Sequence, residues 1–484
     1  MVDIPFPQSS QPGSQPGEGA GRLLNRYFES DGQVVMWKLT PGLTAYGDTG
    51  HATPRGQIDV NNTLYLARAN TAMTMLPGGG SVTVIPNALP GTDTVYWGKN
   101  NRVGDTSTPP SGYPGPNVVA CCGAGTFLVQ PSGVIPYPDT SLPAANSVTM
   151  LDGYLLFTIA DGHVYASGLN DIWVSDSDHT QNALSFAMCD MSGGLLRGTT
   201  WAQQFFAFGK KAITVFTNGG TSPFPLARTS IIPVGLKAAN CVTGWEPGWG
   251  LAQYFIASDN TVRRLDGYVA TVVSNRDVER AIAAVTDPTT LEMSCYVAGG
   301  RPAVVISGAA FTWEHNALSN NWNERQSPNQ QRWRSSHSVF FAGQWLYGDI
   351  LGTGINQLSP TVYNELGTSF TARLESGPVK QYPNRIRCVA AYFDFTSGQG
   401  QPGTSDSTDP SVFISTSLDG GGNWSNPIIR RDLGAQGQFN RMIRVNRLGG
   451  IATQHGIRFR VDSSSPVYSS FRGGRCDIQL LGSP

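Results

Sequence analysis

Charge is scarce in this chain. Of its 484 residues only 14% are Asp, Glu, Lys or Arg, where about 25% is usual. The balance is near zero, 33 basic minus 34 acidic giving −1, which excludes bulk attraction to nucleic acid or an acidic membrane. Long apolar runs are missing as well, since nothing approaches the roughly 18 residues that a membrane span needs. The opening segment MVDIPFPQSSQPGSQPGEGAGR has no basic start leading into an apolar run, so it is not a secretory signal. The expectation is a soluble protein made in a cytoplasm. Histidine is rare, with six residues scattered at 51, 163, 179, 315, 337 and 455, none paired at metal-ligand spacing. The seven cysteines (121, 122, 189, 241, 295, 388 and 476) are odd in number and form no C-x-x-C. They read as reduced, small apolar residues of the interior.

Catalytic signatures are lacking too. There is no G-x-S-x-G elbow, no H-E-x-x-H, no Walker loop and no G-x-G-x-x-G opening a helix. Asp176 and Asp178 in VSDSDHTQN (174–182) start like a calcium loop, but the Gly and the closing Glu that such a loop needs are absent. They read as turn acids. The chain is therefore expected to be no enzyme, with no catalytic, cofactor or metal residues.

What is abundant is turn formers and rings. The chain holds 57 Gly, 32 Pro, 11 Trp, 16 Tyr and 21 Phe. Few disordered chains carry so many aromatics, and a helical bundle would be dominated by Ala, Glu, Lys, Leu and Arg. An all-β fold remains. Short strands and turns recur from residue 34 onward, and one residue of each recurrence can serve as an anchor: Tyr65, Phe127, Leu155, Phe205, Tyr254, Val304 and Trp345. Six steps span 345 − 65 = 280 residues, about 47 per step, within the ~40–50 residue period of propeller blades. The steps are uneven (62, 28, 50, 49, 50 and 41), and no Trp-Asp or kelch signature marks them. The reading is a β-propeller of six or seven blades over 34–368, with a large sandwich or a pair of barrels as the competing form. One amphipathic helix is expected at 274–287, capped by Ser274 and packed on the outside of the propeller. Residues 1–33, rich in Gln, Ser, Pro and Gly, read as a flexible arm.

Beyond residue 368 the texture changes to a smaller β-sandwich-like domain, 369–484. Residues 371–484 carry 13 basic and 8 acidic residues, net +5, so residues 1–370 carry 20 and 26, net −6. Two features stand out here. STSLDGGGNW (415–424) places Ser417, Asp419, Gly421 and Trp424 in the S-x-D-x-G-x-x-W pattern that resembles the Asp-box of sialidases. Its physical content is a hairpin whose Asp bonds its own turn while the Trp covers the base. A basic stripe of Arg430, Arg431, Arg441, Arg444, Arg447, Arg458 and Arg460, continued by Arg472 and Arg475, reads as partner-facing strand charge. Single-strand nucleic-acid binding is less favoured, because no stacking aromatics are interleaved.

Taken in order, several segments resemble one family. They are RLLNRYFES (22–30), LTPGLTAYGDTG with TPRGQIDVNNTLYLA (39–67), VTMLDGYLLFT (148–158), FAFGKKAITVFTNGG with FPLAR (206–228), RRLDGYVATVVSNRDVERAI (263–282), RWRSSHSVFFAGQWLYGD (332–349), and NRIR with STSLDGGGNWSNPIIRRDLGAQGQFNRMIRVNRLG (384–449). The chain is similar to the packaged-DNA stabilisation proteins, the tail hubs of short-tailed phages (podoviruses). The resemblance implies a structural virion protein of the tail, assembled in the host cytoplasm as a homo-oligomer, a hexamer. Such a hub lies beneath the portal and its head-to-tail adaptor protein, retains packaged DNA and carries a tailspike or tail fibre and a tail needle. Double-stranded DNA passes through it during genome ejection without sequence-specific binding. On that basis the acidic part is expected nearer the DNA path and the basic part against partner proteins. The alternative is a propeller-type carbohydrate-active or carbohydrate-binding protein, sialidase-like, which needs buried arginines beside a Tyr–Glu pair.

Overall fold

The structure, a computed structural model, describes residues 1–482 apart from 33, 106–111, 175–184, 187–193, 221–223, 447 and 449. Asp176, Asp178 and Cys189 lie outside the described residues; the other six cysteines are buried and unbridged. No helix among the described residues is long and apolar enough to cross a membrane.

Turn chemistry lays out the blades. Positive φ at both residues of Asn61–Asn62, Asp152–Gly153, Ala202–Gln203, Gly299–Gly300 and Ala342–Gly343 joins two strands by a two-residue connection, the geometry whose twist matches antiparallel strands. Among the described residues, six four-stranded sheets and the first four strands of a nine-stranded one follow one another as seven blades. Their first strands are Pro54–Val60, Tyr96–Lys99, Ala145–Leu151, Leu195–Trp201, Val242–Thr243, Glu292–Ala298 and Ser335–Phe341. Residues from or beside all seven line one central cavity, so these are the inner strands of a seven-bladed β-propeller.

The second strands, such as Thr63–Arg68, Tyr154–Ile159 and Gln204–Gly209, are nearly wholly buried, as expected for strands covered on both faces. Six of the seven sequence anchors fall in second strands. Phe127 lies instead in the third strand of its blade, Gly125–Gln130, behind Val118–Cys122. That displacement accounts for part of the unevenness of the first two steps.

The last blade is completed from the far end of the chain. Its outermost strand is Gly42–Asp48, paired antiparallel with Gly354–Ser359 through Leu43↔Leu358 and Gly47↔Ile355. Arg68 adds a tie across the seam, donating Nη2–H to the Gly354 carbonyl at 2.7 Å. At Gly42 the backbone passes so close that a Cβ would lie 2.3 Å from the Asn364 carbonyl oxygen and 2.6 Å from that of Val362. Gly42→Ala is expected to destabilise the protein by about 1–3 kcal/mol, as overpacking does. A fall in the urea midpoint at unchanged slope would report it.

The sixth blade does not end at its fourth strand. Asn321–Glu324 pairs in parallel with Arg22–Leu24, which pairs with Ala372–Glu375, and the sheet runs on through Arg458–Ser463, Val412–Ser417 and Ile428–Arg430 to nine strands. Facing it is a second sheet of Arg26–Asp31, Val34–Leu39, Phe471–Leu480, Ile386–Phe395 and Ile443–Asn446, with Val2–Asp3 added on Phe471–Leu480. Leu23, Trp37, Leu374, Phe393, Ile414, Phe459 and Phe471 pack between the two. The C-terminal domain is thus a β-sandwich that shares one sheet with the propeller.

Residues 1–33 depart from the free arm expected of them. Ile4 and Phe6 are buried in the sandwich core. Ser10 is fully buried, its N–H donating to the Trp322 carbonyl (2.7 Å) and its Oγ–H to Glu324 (3.0 Å). Composition misleads because this segment docks mainly through its backbone and small polar groups. Strand Val34–Leu39 likewise belongs to the sandwich, so the N-terminal bound drawn for the propeller at 34 falls too early. The helix is Arg276–Ala283, burying Val278 and Ile282. Its cap is Asn275, whose Oδ1 accepts from the amides of Asp277 (3.1 Å) and Val278 (3.0 Å), while Ser274 donates to Glu279 at 2.8 Å.

Candidate functional site

The Asp-box residues form one local constellation at the end of Val412–Ser417. Ser417 Oγ–H donates to Asp419 Oδ1 at 2.7 Å and accepts from the Gly421 amide at 2.8 Å. Asp419 also accepts from the Asn423 amide at 3.0 Å and its side chain at 2.7 Å. These donors, the Asn423 amide foremost, hold the Asp419 carboxyl well below the usual carboxylate range. Trp424 is half-buried under the Arg460 guanidinium, 4.0 Å from the ring centre. The hairpin meets the N-terminal segment, since the Gly17 amide donates to the Gly420 carbonyl at 2.9 Å.

The basic stripe divides. Arg458, expected to face a partner, is 5% exposed and donates Nη2–H to the Gly19 carbonyl at 2.6 Å. The strand brings it inward because Arg22–Leu24 and the residues before it cover that face. Arg460 is half-buried and bonded to Glu375 at 2.8 Å. Arg472 pairs with Asp394 and Arg475 with Asp3. What stays outward is Arg431, Arg441 and Arg444, with Arg430 half-exposed beside them. Arg430 donates to the Arg444 carbonyl, Arg441 to Gln438 and Arg444 to Asn446. Among the described residues none of these four meets a carboxylate; Arg447 lies outside the described residues. Phe439 and Met442 stand in the same loop, 69% and 65% exposed.

A second ionic group, unseen in the sequence, lies where blade six meets the sandwich. Glu314 is fully buried and accepts from Arg325 at 2.6 Å, Tyr296 Oη–H at 3.0 Å, Asn323 at 2.9 Å and Arg301 at 3.3 Å. Burial alone would push its carboxyl up. Arg325 and Arg301 override that, with the Asn323 amide, and bring it down to about 2. Arg301 lies over the Tyr27 ring at 4.1 Å, and Arg325 over Trp333 at 3.6 Å while donating to the Pro41 carbonyl. Two arginines beside a Tyr–Glu pair are the residue types that the sialidase-like alternative requires. Here they are sealed within the protein and tie blade six to the N-terminal strands.

The central cavity measures about 290 Å³. It is crossed by polar ties: Tyr96 Oη–H donates to Asn240 Oδ1 at 2.8 Å, and Asn240 Nδ2–H to Thr94 Oγ1 at 2.8 Å. Arg197 reaches in from the fourth blade between the Tyr96 ring (4.6 Å) and the Trp245 ring (4.3 Å). A duplex, whose major groove alone is about 12 Å wide, does not fit.

Both domains match one known family. The family described as bacteriophage P22 Gp10, β-propeller, matches over residues 28–363, and its companion, bacteriophage P22 Gp10, β-sandwich, over residues 385–475. The chain belongs to the bacteriophage P22 Gp10 family. It is accordingly a phage virion structural protein. No curated protein matches it. Among solved structures, the Gp10-family chain is similar to BamB from Moraxella catarrhalis, with 11% identity and a TM-score of 0.36 over 69% of this chain and 93% of that one. The computationally designed Ika8 protein gives 9% and 0.38 over 74% and 98%. The WD40 β-propeller domain of Doa1 gives 8% and 0.38 over 66% and 97%. These likenesses are too remote to bear on function.

Proposed function

We propose that this protein is a tail-hub subunit. Six copies close into a ring or short tube below the portal and its adaptor, and the genome is retained above it and leaves along the ring axis. Spikes or fibres and a needle attach to the assembled hub. The observation that carries this reading is the match to the Gp10 family across both domains. Three structural facts support it. The sheet shared by propeller and sandwich makes one body able to bear load. The propeller's own cavity is small and cross-tied, which leaves the ring axis as the path for a duplex. The outward arginines without carboxylates sit beside Phe439 and Met442, the mixture of Arg, aromatic and Met that marks protein interfaces. A heterologous contact that closes on itself gives a ring.

Mixing the protein with its phage's portal–adaptor complex and imaging the product tests the reading. Sixfold rings beneath the adaptor are expected, and a protein that stays monomeric and unattached overturns it. Reversing Arg431, Arg441 and Arg444 to Glu together is expected to reduce ring yield at least tenfold while leaving the unfolding temperature of the free chain within a few degrees, since exposed charges contribute little to stability. The assignment of the acidic propeller to the DNA side fails if a map of the assembled tail shows the 430–475 arginines lining the channel.

A further inference from the structure

The central cavity carries chemistry that the tail-hub reading does not use. Its walls contain three carboxylates, and each already accepts hydrogen bonds from its own protein. Glu246 takes the Thr243 hydroxyl at 2.7 Å and the Gly244 amide at 2.6 Å. Glu292 takes the Ser336 hydroxyl at 2.8 Å and the His337 amide. Asp59, at the rim, accepts from the Asn62 amide at 3.0 Å. The Asn240 amide is spent on Tyr96 and Thr94.

Beside these carboxylates the wall also carries donors. Among the described residues Arg197 donates from Nη1 alone, to the Ala239 carbonyl at 3.2 Å, and it lies in the field of the Glu246 carboxylate. Trp97 Nε1–H is buried with no acceptor. Lys99, also on the wall, has no acidic partner among the described residues. Trp97 Nε1 is the one buried donor among the wall's described residues without an acceptor, a state that costs about 1–3 kcal/mol, while Arg197 and Lys99 are half-buried. Arg197 is also held flat between two rings, which fixes the direction of its free edge in advance. Part of the surface around these donors is apolar, supplied by Met150, Met293, Trp245 and Phe340. At about 290 Å³ the space is at the lower end of small-ligand pockets.

We infer that the propeller cavity is a binding site for a small carboxylate with an apolar body, its carboxylate on Arg197 and Trp97 and its hydrocarbon against Met150, Met293 and Phe340. A phosphate group would set more negative charge beside Asp59, Glu246 and Glu292 than a carboxylate does. The carboxylate can come from a free organic acid or from the C-terminus of a short peptide, and the two share the same recognition.

Titration calorimetry of the full-length protein tests this with four probes: 4-phenylbutyrate, its neutral amide, an N-acetyl dipeptide acid ending in phenylalanine, and that dipeptide's C-terminal amide. The acids are expected to bind and the amides to bind at least tenfold more weakly. A free-acid source favours phenylbutyrate, and a chain terminus favours the dipeptide. Arg197→Met is expected to abolish the preference of acid over amide. Trp97→Phe keeps an aromatic ring at the position while removing the indole donor with its five-membered ring, and is expected to weaken acid binding several-fold, which keeps the test decisive if the arginine variant does not fold. Equal binding of acid and amide, affinity unchanged in both variants, or no heat from any probe at millimolar concentration would each overturn the inference.

Discussion

Glu314→Ala is expected to cost about 3–5 kcal/mol, the usual result of removing one partner from a buried charge group and leaving the others in place. Arg301 and Arg325 would remain buried, facing each other and Tyr296 with no carboxylate between them. The loss should appear as a lower denaturant midpoint and as early exposure of the Pro41 and Tyr27 region to proteolysis, because both arginines hold that segment. The same group gives acid stability a definite form. Its carboxyl is brought down from an ordinary 4.5 to about 2 in the folded protein. A depressed carboxylate stabilises the fold above its unfolded value, and that contribution fades as pH falls from 4.5 towards 2. It amounts to on the order of 3 kcal/mol. Glu314→Gln, which cannot titrate, is expected to flatten this part of the stability–pH curve; a curve parallel to that of the unmodified protein would exclude the assignment.

Deleting residues 1–24 is expected to have an effect of similar size on a different property. The deletion removes Arg22–Leu24, the strand through which blade six and the sandwich share a sheet, together with buried Leu23 and Leu24 and the core residues Ile4 and Phe6. It also leaves the Arg458 guanidinium, whose Nε is already without a partner, facing the space of the Gly19 carbonyl. Calorimetry is expected to show one coupled transition dividing into two, with the sandwich melting first. A truncated chain that still melts in one transition at the original temperature would mean the segment is the loose arm its composition suggests.

That contrast shows what the sequence could convey. Hairpins with a strong local signature were legible. The Asp-Gly of 152–153, the Gly-Gly of 299–300 and the alternation around Phe459 announce themselves over a few residues. Where a strand is short and uniformly buried, as in Val118–Cys122, no alternation exists to read, and the aromatic of the next strand is mistaken for its equivalent. Non-local pairing is invisible in any window. Nothing in GLTAYGD points to Gly354–Ser359, and nothing in RLL points to both Glu324 and Ala372–Glu375. The Asp-box was legible because its bonds lie within seven residues, while Glu314 was not, because its partners Tyr296, Arg301 and Arg325 acquire meaning only when strands are laid side by side. Arg458 and the outward arginines look identical in sequence, and only the segment that covers one of them tells them apart.

The seam in the seventh blade sets a clock on biosynthesis. Arg22–Leu24 and Gly42–Asp48 leave the ribosome early, yet the strands they pair with, Asn321–Glu324, Gly354–Ser359 and Ala372–Glu375, are some 300 residues or more away. At roughly 5–20 residues per second, Arg22–Leu24 and Gly42–Asp48 wait on the order of 15–60 s for these partners. A nascent chain cut short before residue 354 cannot close its propeller, so an incomplete subunit carries its defect as two open sheet edges that a finished one does not show.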